Sequence, residues 1–110
     1  MKICVAALSN QKTVQVCSDP IRAPFFLFFD EEGNFLKYLW NPFSKGGGSL
    51  GYGLSRILQN ERVDSLIAGG CHDGVRQILE ESGIKVVIKK GKAVFLVEEF
   101  INETVAEQVV

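Results

Sequence analysis

Histidine, tryptophan and methionine each occur once in this sequence, and cysteine and proline three times each. A small, odd number of cysteines does not make a disulfide framework. Charge of one sign is also missing. Twelve basic and thirteen acidic residues give a net charge of −1, so there is no basic surplus for nucleic acid and no charge block for a tail. No apolar run is long enough to span a membrane. The opening "MKICVAALSN" carries one lysine and no small-residue cleavage pattern, so it is expected to be a first strand rather than a leader. Repeats and linkers are absent, and the one low-complexity stretch is a glycine loop. What remains is a 110-residue chain with 46% apolar residues, enough for one core. The expectation is a single cytoplasmic domain, 1–110, with reduced thiols and neither nucleic-acid nor membrane partners.

The apolar pattern divides the chain. "KICVAAL" (2–8) is a strand closed by the turn "SNQK"; "TVQV" (13–16) is a short strand or extended arm; "CSDPIRAP" (17–24) is a loop. "FFLFF" (25–29) is apolar on both faces and belongs inside a sheet. The turn "DEEG" joins it to "NFLKYLW" (34–40) as a hairpin, and "NPFSKGGGSLGYG" (41–53) is loop. The period then changes. Leu50, Leu54, Ile57 and Leu58 share a helical face, with Ser49 as the expected N-cap. "VDSLIAGG" (63–70) and "IKVVIKK" (84–90) are strands, and Val75, Ile78, Leu79 and Ser82 mark a helix between them. Asp73 is expected to cap that helix and Gly83 to end it. Val97, Phe100, Ile101 and Val105 predict a last helix over about 93–106. A hairpin followed by α-β-α-β-α predicts a mixed sheet with helices on both faces and a right-handed parallel crossover over 63–88.

In such a sheet, ligands sit beyond the carboxyl ends of the parallel strands. "GGCHDG" (69–74) leaves a strand and enters a helix at that position, where free N–H groups and the helix dipole favour anions. Cys71 and His72 are candidate metal ligands there. Against that role, a lone Cys-His pair lacks the repeated spacing of a zinc site. Cys4 reads as a small buried hydrophobe, and Cys17 as a thiol in the loop that carries Arg22. "GGGSLG" (46–51) matches G-x-G-x-x-G, but "NPFSK" separates it from its strand, and Cys71 stands where an acidic residue would be needed. A dinucleotide reading is therefore excluded. Trp40, Phe43 and Tyr52 are either an aromatic wall over a site or a cap on a sheet edge. No strand carries an acidic cluster for two-metal chemistry. No serine or cysteine nucleophile has a base and an orienting group that the sequence can place, which argues against an enzyme.

Four stretches, in order, resemble one family: "MKICVA", "IRAPFFLFFD", "NPFSKGGGSLGYGLSRIL" and "VDSLIAGG" continuing to "GVRQILEESGIKVVI". They cover roughly residues 1–102 and are similar to the dinitrogenase iron–molybdenum cofactor biosynthesis family, the nitrogenase accessory proteins of the NifX and NifY kind. The resemblance implies a ribonuclease-H-like α/β fold. It also implies a non-catalytic role in holding or carrying an iron–sulfur or molybdenum-containing cofactor or its precursor, with a cofactor-assembly protein as partner. The family pattern S-x-x-F-G-R-A-P often has a histidine three residues before the arginine. Here that position is Asp19, and Ile21 replaces the glycine. Arg22 keeps the family's cation, able to hold an anionic group. The site then expected is Arg22 with Asp19, Cys17, Gly69, Gly70, Cys71 and His72, the last two as metal ligands replacing the lost histidine. The alternative is a protein–protein adaptor of the same fold whose cofactor site has decayed.

Overall fold

Strands with apolar residues on both faces need cover on both sides, and this chain supplies it with helices from the second half of its sequence. The computed structural model describes residues 1–47 and 49–109, without the side chains of Leu50, Gln108 and Val109. Gly48, the inward-facing side chain expected of Leu50, and Val110 lie outside the described residues. The elements are β1 (Lys2–Ala7), β2 (Phe25–Asp30), β3 (Phe35–Trp40), α1 (Tyr52–Asn60), β4 (Ser65–Ala68), α2 (Asp73–Glu81), β5 (Lys85–Ile88) and α3 (Ala93–Val109). They form one five-stranded sheet in the order β3-β2-β1-β4-β5. The first three strands pair antiparallel, and β1, β4 and β5 run parallel, with Cys4 beside Leu66 and Leu66 beside Val86.

Side-chain alternation sorts the core into two layers. Cys4, Ala6, Phe26, Phe28, Leu66 and Val86 face α1 and α2, meeting Leu54, Leu58, Val75 and Leu79. Ile3, Val5, Leu27, Phe29 and Ile67 face α3, meeting Ala93, Leu96, Val97 and Phe100. One helix, α3, thus covers β1, β2 and β4 on one sheet face, and the β3 end of that face is left open. Tyr38 and Trp40 there are 47% and 62% exposed.

Three local expectations are corrected. Ser49 does not cap α1. It has φ 49° and lies in a short 3₁₀ turn (Ser49–Gly51), and Gly51 takes the N-cap position at φ 106°. A Cβ on Gly51 would stand 3.3 Å from Val75, so glycine suits both the backbone and the space. His72, not Asp73, is the N-cap of α2, in extended conformation and without a side-chain cap; Asp73 opens the first turn. Val105 is 52% exposed, because α3 runs on beyond the sheet it covers, while Ala93 and Leu96 take the inner face. Gly83 does end α2 in the left-handed region, with φ 84°. Of "TVQV", only Gln15 and Val16 are extended, held by isolated bridges to Lys92 and Ala7; Thr13 and Val14 belong to the preceding turn.

Candidate functional site

The parallel strands β1 and β4 end at the same sheet edge, so the chain segments that follow them meet there. After β1 the arm folds back. The Cys17 N–H donates to the Ala6 carbonyl at 2.7 Å, and the Cys17 carbonyl accepts from the Gly69 N–H at 2.9 Å. This bond ties the arginine loop to the exit of β4. The two glycines permit the approach. A Cβ on Gly69 would lie 3.1 Å from the Ser18 Cα, and one on Gly70 would lie 2.9 Å from the Ser18 carbonyl oxygen. Neither glycine lines the two cavities that open at this edge; their contribution is the backbone contact itself.

Two adjoining cavities open at this edge. One, of 420 Å³, is lined by Asp19, Ile21 and Arg22 on one side, Gly46, Gly47 and Ser49 on another, and His72 on the third. The other, of 260 Å³, is lined by Ser18, Asp19, Cys71 and His72. Asp19 and His72 thus face both. The amides that open α2 have no side-chain cap. Arg22 is exposed, and among the described residues it has no carboxylate within ion-pair distance. Asp19 brings a negative charge. One of its carboxylate oxygens accepts the Ile21 N–H at 3.0 Å and shapes the loop.

Of the residues expected here, Arg22, Asp19, Cys71 and His72 come together and Cys17 stands apart. Cys17 is 8% exposed and belongs to the core layer under α1 and α2; its thiol donates to the Asp19 carbonyl at 3.4 Å. Its burial follows from the arm's backbone pairing along β1, which turns the side chain inward. Trp40, Phe43 and Tyr52 line neither cavity. The Phe43 ring instead packs on Gly53, where a Cβ would come within 2.6 Å of it. Burial pushes the half-buried Cys71 thiol up, and the Arg76 charge opposes this only in part. A thiol held protonated is a slow nucleophile. Alkylation of the native protein at neutral pH should therefore be slower at Cys71 than at a free cysteine. Cys4 and Cys17 should react only on unfolding, and peptide mass spectrometry after timed alkylation checks both outcomes. Among the described residues, no three His, Cys, Asp or Glu side chains gather to hold a metal ion.

Solved structures share this architecture. The apo form of the orange protein from Desulfovibrio gigas matches with a TM-score of 0.81 at 21% identity, over 93% of this chain and 88% of that one. A candidate NifB protein from Thermotoga, assigned to the DUF35 family, matches with a TM-score of 0.74 at 22% identity, over 90% and 85%. A candidate dinitrogenase from Methanocaldococcus jannaschii matches with a TM-score of 0.61 at 12% identity, over 94% and 89%. At such identities the likeness speaks for the fold. No curated protein matches the chain in sequence. No helix among the described residues is long and apolar enough to cross a membrane. The model of the family described as dinitrogenase iron-molybdenum cofactor matches residues 1–106, and the chain belongs to that family.

Proposed function

We propose that this protein binds an anionic iron–sulfur or molybdenum–sulfur cofactor, or its precursor, in the cavity between Arg22 and His72, and carries it unchanged to or from an assembly protein. One observation carries the reading: Arg22 and His72, fifty residues apart in the sequence, line one cavity beyond the ends of the parallel strands. The donor set suits a preformed cluster better than a bare ion. A bare ion needs several protein ligands, and no such group gathers among the described residues. A cluster brings its own sulfides and negative charge. It needs a cation, a few donors and oriented amides, which Arg22, His72, Cys71 and the start of α2 offer. Family membership supports the cofactor class. The orange protein, alike in fold, has an apo form, a term that presupposes a loaded one.

The charges predict opposite effects for two neighbours. Arg22→Ala removes the cation and should weaken uptake of tetrathiomolybdate or a reconstituted iron–sulfur cluster by roughly 10- to 100-fold. Asp19→Asn keeps the oxygen that shapes the loop and removes a like charge, so it should strengthen uptake, by roughly 3- to 10-fold. Titration of anaerobic protein, followed by absorbance, reads both; Cys4→Ala, far from the cavity in the core, serves as the control. Equal affinity in all three variants would sink the pocket.

A second reading has its own support. The open β3 edge exposes Phe35, Leu36, Tyr38 and Trp40, a combination that suits a protein partner. On the adaptor reading, Trp40→Ala would abolish partner capture while Arg22→Ala would leave it intact.

A further inference from the structure

We infer that Asn41 is the residue that positions two of the cavity's three walls, the arginine loop and the glycine segment, a role that deepens the carrier reading and rests on it where binding is concerned. Asn41 follows β3 directly and is 2% exposed. A buried side-chain amide must find partners for its oxygen and its nitrogen, and here the partners lie on two different site loops. Its Nδ2 donates to the Ile21 carbonyl and to the Ala23 carbonyl, each at 2.9 Å. These carbonyls flank Arg22, so one amide group grips the arginine loop on both sides of its cation. Its Oδ1 accepts the Phe43 N–H at 2.9 Å, which starts the turn leading into the glycine wall. Its backbone joins the same two segments: the Asn41 N–H donates to the Pro24 carbonyl at 2.9 Å, and its carbonyl accepts from the Ser44 N–H at 3.2 Å. The Gly46 N–H then donates to the Phe43 carbonyl at 2.9 Å, so the wall containing Gly46 and Gly47 hangs from the turn that Asn41 shapes. The amide can face only one way. Rotated by half a turn, it would set its oxygen against two carbonyls and its NH₂ against an N–H.

The two ends of the side chain therefore serve separate walls, and substitution can separate them. Asn41→Asp keeps an oxygen for the Phe43 N–H but sets a carboxylate against the Ile21 and Ala23 carbonyls. Asn41→Ala removes both grips. Ile21 N–H bonds within the arginine loop, to Asp19, so its exchange reports how firmly that loop is held. The experiment is amide hydrogen exchange by NMR on the whole chain, with the β1 and β4 amides as the measure of global stability. It is paired with anaerobic titration of tetrathiomolybdate. In Asn41→Asp, Ile21 exchange should rise roughly 10-fold or more above any global change while Phe43 stays protected; in Asn41→Ala both should rise. Both variants should bind tetrathiomolybdate roughly 10-fold more weakly than the wild type, because both free the Arg22 loop. Uniform change across all amides, or unchanged Ile21 exchange in Asn41→Asp, would overturn the positioning role. So would loosened loops with undiminished binding. A wild type that binds no tetrathiomolybdate would refute the carrier reading instead, and the exchange pattern would still decide whether Asn41 holds the two loops.

Discussion

Phe28→Ala is expected to destabilise the protein by about 3–5 kcal/mol, the usual range for emptying a large aromatic site in a close-packed core. Phe28 is fully buried on the sheet face under α1 and α2, next to Cys4 on the neighbouring strand. The edge of that site is closed by the ammonium groups of Lys2 and Lys37, 5.3 and 5.8 Å from the ring centre. Both lysines are held there by Glu61, at 3.1 and 2.7 Å, and the Lys37 hydrogen bond keeps the Glu61 carboxyl below its usual range. The aromatic ring thus joins the core to an ion-pair cluster at the end of the sheet remote from the cavities, and nothing small can replace it without leaving a void. Domains of this size have about 5–15 kcal/mol in total, so the variant should melt at least roughly 12 °C lower. Calorimetry checks this; a shift of only a few degrees would mean that the two layers repack freely.

The second large effect is expected from one added methyl group. Gly70→Ala places a Cβ 2.9 Å from the Ser18 carbonyl oxygen, a backbone atom that cannot rotate aside. Either the arginine loop or the exit of β4 must move. Strain of this kind amounts to about 1–3 kcal/mol. The functional loss should exceed the stability loss, because the contact that is broken aligns Asp19 and Arg22 with Cys71 and His72. Melting temperature and cofactor uptake measured on the same preparation separate the two effects. Gly74→Ala is the control, since its Cβ would meet nothing within 4 Å. If both variants behave alike, the close approach at Gly70 has no bearing on the site.

Much of this architecture can be read from the chain because it depends on local periodicity. Apolar strands of four to six residues, a hairpin turn, and single apolar stripes on α1 and α2 leave few ways to build the sheet. The shared edge of the cavities depends on β1 running parallel to β4, which the sequence pattern leaves open because it predicts a parallel crossover only over 63–88. What escaped the sequence is where a side chain turns once the regular pattern stops. Cys17 looks like a loop thiol beside Arg22, yet the arm pairs with β1 through Val16 and Ala7, and that pairing rotates the thiol into the core. The start of α1 depends on a left-handed Gly51 packed on Val75, a tertiary contact that no capping preference encodes. Asn41 stands in a stretch that reads as plain loop, because its hydrogen-bond partners are 18 and 20 residues away. The glycines at 69 and 70 read as the end of a strand at a ligand site, whereas their stronger constraint is the neighbouring backbone of Ser18.

The central claim is that the cavity between Arg22 and His72 holds an anionic metal–sulfur cofactor. The measurement that tests it most directly is metal and sulfide analysis, with an absorbance spectrum, of protein purified without oxygen, offered a preformed iron–sulfur or molybdenum–sulfur cluster, and passed through a desalting column. The account predicts one cluster retained per binding site, with a visible charge-transfer band that Arg22→Ala and His72→Ala both diminish. A folded protein that emerges colourless and metal-free, or one whose retained metal is indifferent to both substitutions, would contradict it and leave the open β3 edge as the working surface of the molecule.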